Sequence, residues 1–94
     1  MFPINYFKIK GHSMEPRYRD GDRLLINKWA YLFSRPKIGD IIVFKKLNEE
    51  KFILKRIKKV LNTGFFVRGD NKTDSKYFGV IKKEQILGKV LLSI

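Results

Sequence analysis

The chain is expected to be mainly β, a small domain of short strands joined by tight turns. Three observations predict this. Apolar runs such as Ile41-Ile42-Val43-Phe44 have strand length and are bounded by turn residues. Turn chemistry recurs at Gly21-Asp22, Gly39-Asp40 and Asn62-Thr63-Gly64. No apolar stripe at 3.6-residue spacing persists beyond a turn or two, so helices have little to build on.

Taken in order, Tyr6-Phe7-Lys8-Ile9-Lys10 alternates as a first strand, and Gly11 ends it. Ser13 then starts a turn or short helix, because a serine oxygen accepts from N–H groups two or three residues on. Pro16 restricts what can follow, which leaves the Ser13 hydroxyl exposed at an edge. Gly21-Asp22 and Gly39-Asp40 each introduce an apolar strand, Leu24-Leu25-Ile26 and Ile41-Ile42-Val43-Phe44, with Arg35-Pro36 in the loop between them. The repeated Gly-Asp is turn chemistry and not a phosphate loop. Leu47-Asn48-Glu49-Glu50 reads as a hairpin turn into a long strand over residues 51–60, and Asn62-Thr63-Gly64 turns the chain into Phe65-Phe66-Val67-Arg68. A closing strand is expected within residues 85–94, after Gly88.

Composition narrows the function classes. With 94 residues, 1–94 is expected to be a single domain with one core. The 44% hydrophobic and 14% aromatic content belongs to a globular chain. Cysteine is absent, which excludes disulfides, thiolate nucleophiles and Cys-type zinc sites. His12 is the lone histidine, so nothing completes a metal-ligand set and neither metal nor cofactor is expected. A net charge of +12 implies attraction to something anionic, phospholipid headgroups, nucleic acid or an acidic substrate, and charge alone does not choose among them. No run approaches the roughly 18–20 apolar residues needed to cross a bilayer. Residues 1–7 are apolar but lack a basic leader and a small-residue cleavage site, and do not read as a secretion signal.

Two residues carry the candidate chemistry. Ser13 lies in the frame Gly11-His12-Ser13-Met14-Glu15-Pro16, and Lys55 lies in the apolar run Ile53-Leu54-Lys55-Arg56-Ile57. A serine hydroxyl needs a base, and a lysine serves only when neutral. Its ordinary pKa of about 10.4 leaves on the order of one in a few thousand uncharged at neutral pH. In an extended strand Lys55 shares its face with Ile53 and Ile57, while Arg56 shares the other with Leu54 and Lys58. Desolvation there, with other positive charge nearby, is expected to lower the Lys55 pKa. Arg56 is no substitute, since guanidinium stays charged. The plainer readings are a turn-forming serine and a lysine snorkelling from a half-buried strand.

This pattern resembles the signal peptidase I family, whose serine sits in a G-x-S-M-x-P-type box and whose lysine sits in a K-R box. A third match, Gly69-Asp70-Asn71 followed by Asp74-Ser75-Lys76-Tyr77-Phe78-Gly79, is similar to that family's G-D-N box. The resemblance implies a small signal-peptidase-like or LexA-like β-barrel-type catalytic domain in which Ser13 attacks a peptide carbonyl, Lys55 takes its proton and the Ser13 N–H holds the oxyanion. It implies that Met14 lines the substrate pocket. Gly11 stands where some members carry a second oxyanion-donating serine. The third box reads as support: Asp70 and Asp74 are expected to pair with Arg56 and Lys76, beside Asn71 and Ser75. It is shorter than usual, and Thr73 or Ser75 would replace a lysine-orienting serine. The implied substrate is a precursor or signal peptide cut after small residues.

Typical members carry a membrane anchor before the serine box. The chain is accordingly expected to be peripheral on an anionic membrane, held by a partner, or soluble. Two rival readings remain. One is a catalytically silent basic β module binding nucleic acid or anionic membrane, although no nucleic acid is expected for the peptidase. The other is a LexA-type self-cleaving protease, against which stand the twelve residues before Ser13 and the lack of an Ala-Gly bond.

Overall fold

Runs of β-branched and aromatic residues between turns form the strands. The computed structural model describes residues 4–71 and 78–94. Among these are β1 (Ile4–Lys8), β2 (Arg23–Asn27), β3 (Ile41–Lys45), β4 (Phe52–Leu61), β5 (Gly64–Arg68), β6 (Phe78–Ile81) and β7 (Ile86–Ser93), with one 3-10 turn, Lys83–Gln85. They form one antiparallel sheet in the order β1-β2-β7-β3-β4-β5-β6. The chain is mainly β, as expected.

Three local expectations are corrected. The first strand ends at Lys8 and not Lys10, although Ile9 continues the exchange by donating to Asp22 O at 2.9 Å and accepting from Gly21 N–H at 2.8 Å. The last strand runs through Gly88 and does not start after it. A Cβ at Gly88 would lie 2.6 Å from Ile26 Cγ2 and 2.7 Å from Asn27 O, so the missing side chain lets β7 pass close to β2. β6 was not anticipated, because four residues with a glycine give no alternation to read.

At β3 the sheet buries both of its faces. Ile41 and Val43 of β3 join one cluster with Ile9, Met14, Leu24 and Leu54, whereas Ile42 and Phe44 join a second with Ile57, Val67 and Ile81. Side chains alternate along a strand, so these clusters lie on opposite sides of β3. With no α-helix among the described residues, the cover on each side is the sheet itself and its loops. The sheet therefore curls. A flat sheet would hold β1 and β4 about 19 Å apart, four strand spacings, yet the chain after β1 faces the first half of β4 across a single cavity.

Candidate active site

The turn that carries Ser13 is tied down on several sides. Gly11 has φ +93, a left-handed value that suits glycine, and its N–H donates to Asp20 Oδ1 at 2.7 Å. Glu15 N–H donates to His12 O at 3.2 Å and Tyr18 N–H to Met14 O at 3.0 Å. His12 Nδ1 lies 2.5 Å from Glu15 Oε2. Met14 and Tyr18 are buried in the first cluster and pin the turn to it. Ser13 is half-buried beside the docked Met14.

Lys55 lies in β4 opposite Ile42 of β3, on the face shared with Ile53 and Ile57. It is 4% exposed, the single buried charged residue among those described. β5 pairs with β4 only from Arg56 onward, so Phe52 to Lys55 pair with β3 alone among the described strands. Among the described residues, that half of β4 keeps one open edge. Ser13 and Lys55 both line a cavity of about 640 Å³ between the chain at residues 7–14 and the chain at residues 51–55. Its walls are apolar at Phe7, Ile9, Phe52 and Leu54, and Met14 lines it from within the core.

A second connection links these two walls. Arg56, next to Lys55, donates from Nε and Nη2 to Asp70 Oδ1 and Oδ2 at 2.8 and 2.9 Å, and from Nη1 to Gly39 O at 2.8 Å. The Asp70 hydrogen bonds push the Arg56 guanidinium above its ordinary value, against a smaller opposing effect of burial. Asn71, next to Asp70, donates its N–H to Ser13 O at 2.7 Å and its Nδ2 to His12 O at 2.9 Å. The expected Arg56–Asp70 pair is present. Asp74, Ser75 and Lys76, with the pairing expected for them, lie outside the described residues.

Two anchoring groups escaped the sequence reading. Asp20 falls in an ordinary Asp-Gly-Asp turn, and nothing local marks it as the acceptor for Gly11. Gly39-Asp40 is a turn as expected, but Asp40 also accepts from the Tyr31 hydroxyl at 2.7 Å and Lys37 N–H at 3.0 Å, and lies 3.4 Å from Lys89. Burial pushes the Asp40 carboxyl up, yet Tyr31, Lys37 and Lys89 outweigh it and hold it below the ordinary carboxylate value. Burial, followed by the Asp40 hydrogen bond and charge, pushes the Tyr31 hydroxyl well above its own ordinary value. Among the described residues, no three His, Asp or Glu side chains gather as a metal-ligand set.

The sequence model of one family, described as signal peptidase, peptidase S26, matches residues 1–62. Among curated relatives, Signal peptidase I of Aquifex aeolicus (strain VF5) is 44% identical over 52 residues, covering 54% of this chain and 20% of that protein. Signal peptidase I V of Bacillus subtilis (strain 168) is 35% identical over 51 residues, covering 54% of this chain and 30% of that protein. Inactive signal peptidase IA of Staphylococcus aureus (strain COL) is 26% identical over 140 aligned positions, covering 95% of this chain and 80% of that protein. The chain thus spans less than a third of the length of the first two.

Proposed function

Because the chain belongs to the signal peptidase family, peptidase S26, we propose that it is a serine endopeptidase that cuts precursor or signal peptides after small residues, with Ser13 as nucleophile and Lys55 as base. The observation that carries this reading is the shared cavity: the half-buried serine and the buried lysine line one space between two walls. The open edge of β4 gives an extended peptide backbone a place to pair, which would carry its carbonyl past Ser13.

The steps are those of acyl transfer. Ser13 Oγ attacks the scissile carbonyl carbon while Lys55 Nζ accepts the hydroxyl proton. The Ser13 backbone N–H donates to the oxyanion. Lys55 then returns the proton to the leaving amine, and the ester on Ser13 remains. Water attacks this ester with Lys55 again as base, releasing the acid and restoring the serine. Arg56, Asp70 and Asn71 are positioning residues, since they hold β4 and the Ser13 turn in register. Gly11 has no side-chain donor to offer the oxyanion.

Cleavage of peptides ending in Ala-x-Ala tests this. Wild type should cut them at a rate that rises with pH as the base becomes neutral, and Ser13→Ala and Lys55→Met should each abolish cutting while remaining folded. Wild-type rates from either variant would refute the assignment. A second reading, a catalytically silent member, draws on the match over 95% of the chain to a protein named inactive and on the short box at residues 69–79. Folded wild-type protein that cuts no such peptide would favour it.

A further inference from the structure

Residues 28–38 join β2 to β3 and leave large apolar side chains outside both cores. Phe33 is 94% exposed, Ile38 67%, Leu32 64% and Trp29 46%. The loop's own hydrogen bonds maintain this arrangement. Trp29 N–H donates to Asn27 Oδ1 at 2.9 Å, Leu32 N–H to Trp29 O at 3.1 Å and Ser34 Oγ to Ala30 O at 2.8 Å. Tyr31 packs against the second cluster with its hydroxyl on Asp40, and Pro36 is buried. Tyr31 and Pro36 therefore turn inward while Leu32 and Phe33 project outward.

The same loop carries Lys28, Arg35 and Lys37 and contains no acidic residue. None of the three cations lies within ion-pair distance of a carboxylate among the described residues. An apolar tip flanked in the loop by cations without an ion pair among the described residues, on a chain of net charge +12, matches a surface with phosphate outside and hydrocarbon beneath. A protein partner of ordinary affinity would need about 800 Å² of complementary face, and a nucleic acid would need stacking platforms along a basic groove. A single protruding loop offers neither.

We propose that residues 28–38 dock the protein on an anionic phospholipid bilayer. Leu32 and Phe33 enter the acyl boundary, Trp29 lies at headgroup level, and Lys28, Arg35 and Lys37 meet the phosphates. The loop is rooted beside the candidate site, because Gly39 O accepts from Arg56 and Ile57 N–H donates to Asp40 O at 2.8 Å. Docking would hold the cavity near the membrane surface. The proposal narrows the anionic contact expected from the net charge to this one loop. It needs no catalysis, so it stands or falls separately from the peptidase reading.

Trp29 is the only tryptophan, so intrinsic fluorescence reports on this loop alone. With phosphatidylglycerol vesicles, its emission should shift to the blue and be quenched by brominated acyl chains. Phe33→Ser should lower the partition constant about tenfold or more. Removing Arg35 and Lys37 as glutamines should weaken binding about fivefold per cation at low salt, and less at high salt. Leu91→Ser, an exposed apolar change on β7, should leave binding unchanged, and thermal melts should show all variants folded. The proposal is overturned if anionic vesicles do not sediment the protein, or if phosphatidylcholine binds equally well. It is also overturned if bound protein shows unshifted Trp29 emission, or if Phe33→Ser binds as wild type.

Discussion

Replacing Asp70 with asparagine isolates the connection between the two walls of the cavity. Asp70 receives two charge-assisted bonds from Arg56, at 2.8 and 2.9 Å, and the paired side chains are 25% and 15% exposed. That places the pair between an exposed ion pair, worth about 0–1 kcal/mol, and a fully buried one, whose rupture costs about 3–5 kcal/mol. In Asp70→Asn the amide oxygen still accepts one bond, but the amide NH2 meets the second Arg56 donor. One bond to a charged group is lost, worth about 1.5–3 kcal/mol, so a destabilisation of about 2 kcal/mol is expected. For a chain of this length that lowers Tm by about 8–16 °C. A double-mutant cycle with Arg56→Gln should return a coupling of about 1.5–2 kcal/mol. Because Asn71 follows Asp70 and holds Ser13 O, kcat should also fall about 10–100-fold with KM little changed, the scale of a displaced nucleophile. A Tm within about 3 °C of wild type with additive single mutants would show a solvated ion pair that organises nothing.

Two further outcomes follow from the packing. Asp40→Asn should lower stability at neutral pH by about 1 kcal/mol or more and flatten the acid limb of a pH–stability profile. The folded Asp40 pKa lies below its ordinary 3.8, so wild type holds this contribution above that value and loses it as pH falls through the folded pKa; urea midpoints between pH 7 and pH 2 read it out. Gly88→Ala should cost about 1–3 kcal/mol, seen as a lower urea midpoint at unchanged slope, because the new Cβ would meet the Asn27 carbonyl oxygen at 2.7 Å and that oxygen belongs to β2 backbone.

Local pattern determined much of this protein. Short apolar runs between Gly-Asp and Asn-Thr-Gly turns placed β2, β3, β4 and β5, since strand period and turn chemistry are properties of neighbouring residues. The same two-residue period put Lys55 on the face of Ile53 and Ile57, and the resemblance of residues 69–79 to the family's third box suggested the Arg56–Asp70 pair. Order in the sheet was not legible: β7, last in the chain, lies between β2 and β3, because pairing between distant segments is set by which apolar faces bury each other. Gly88 looked like a strand boundary because a lone glycine weakens a local pattern, and only the close approach of β2 shows why it lies inside β7. Tertiary structure alone joined Tyr31, Asp40 and Lys89 and turned Leu32 and Phe33 outward, against the rule that large apolar residues go inside. It also decided that Ser13 and Lys55 line one cavity. Their chemistry was written in the residues, but their meeting depends on a sheet that curls until the chain at residues 7–14 faces the first half of β4 across one cavity.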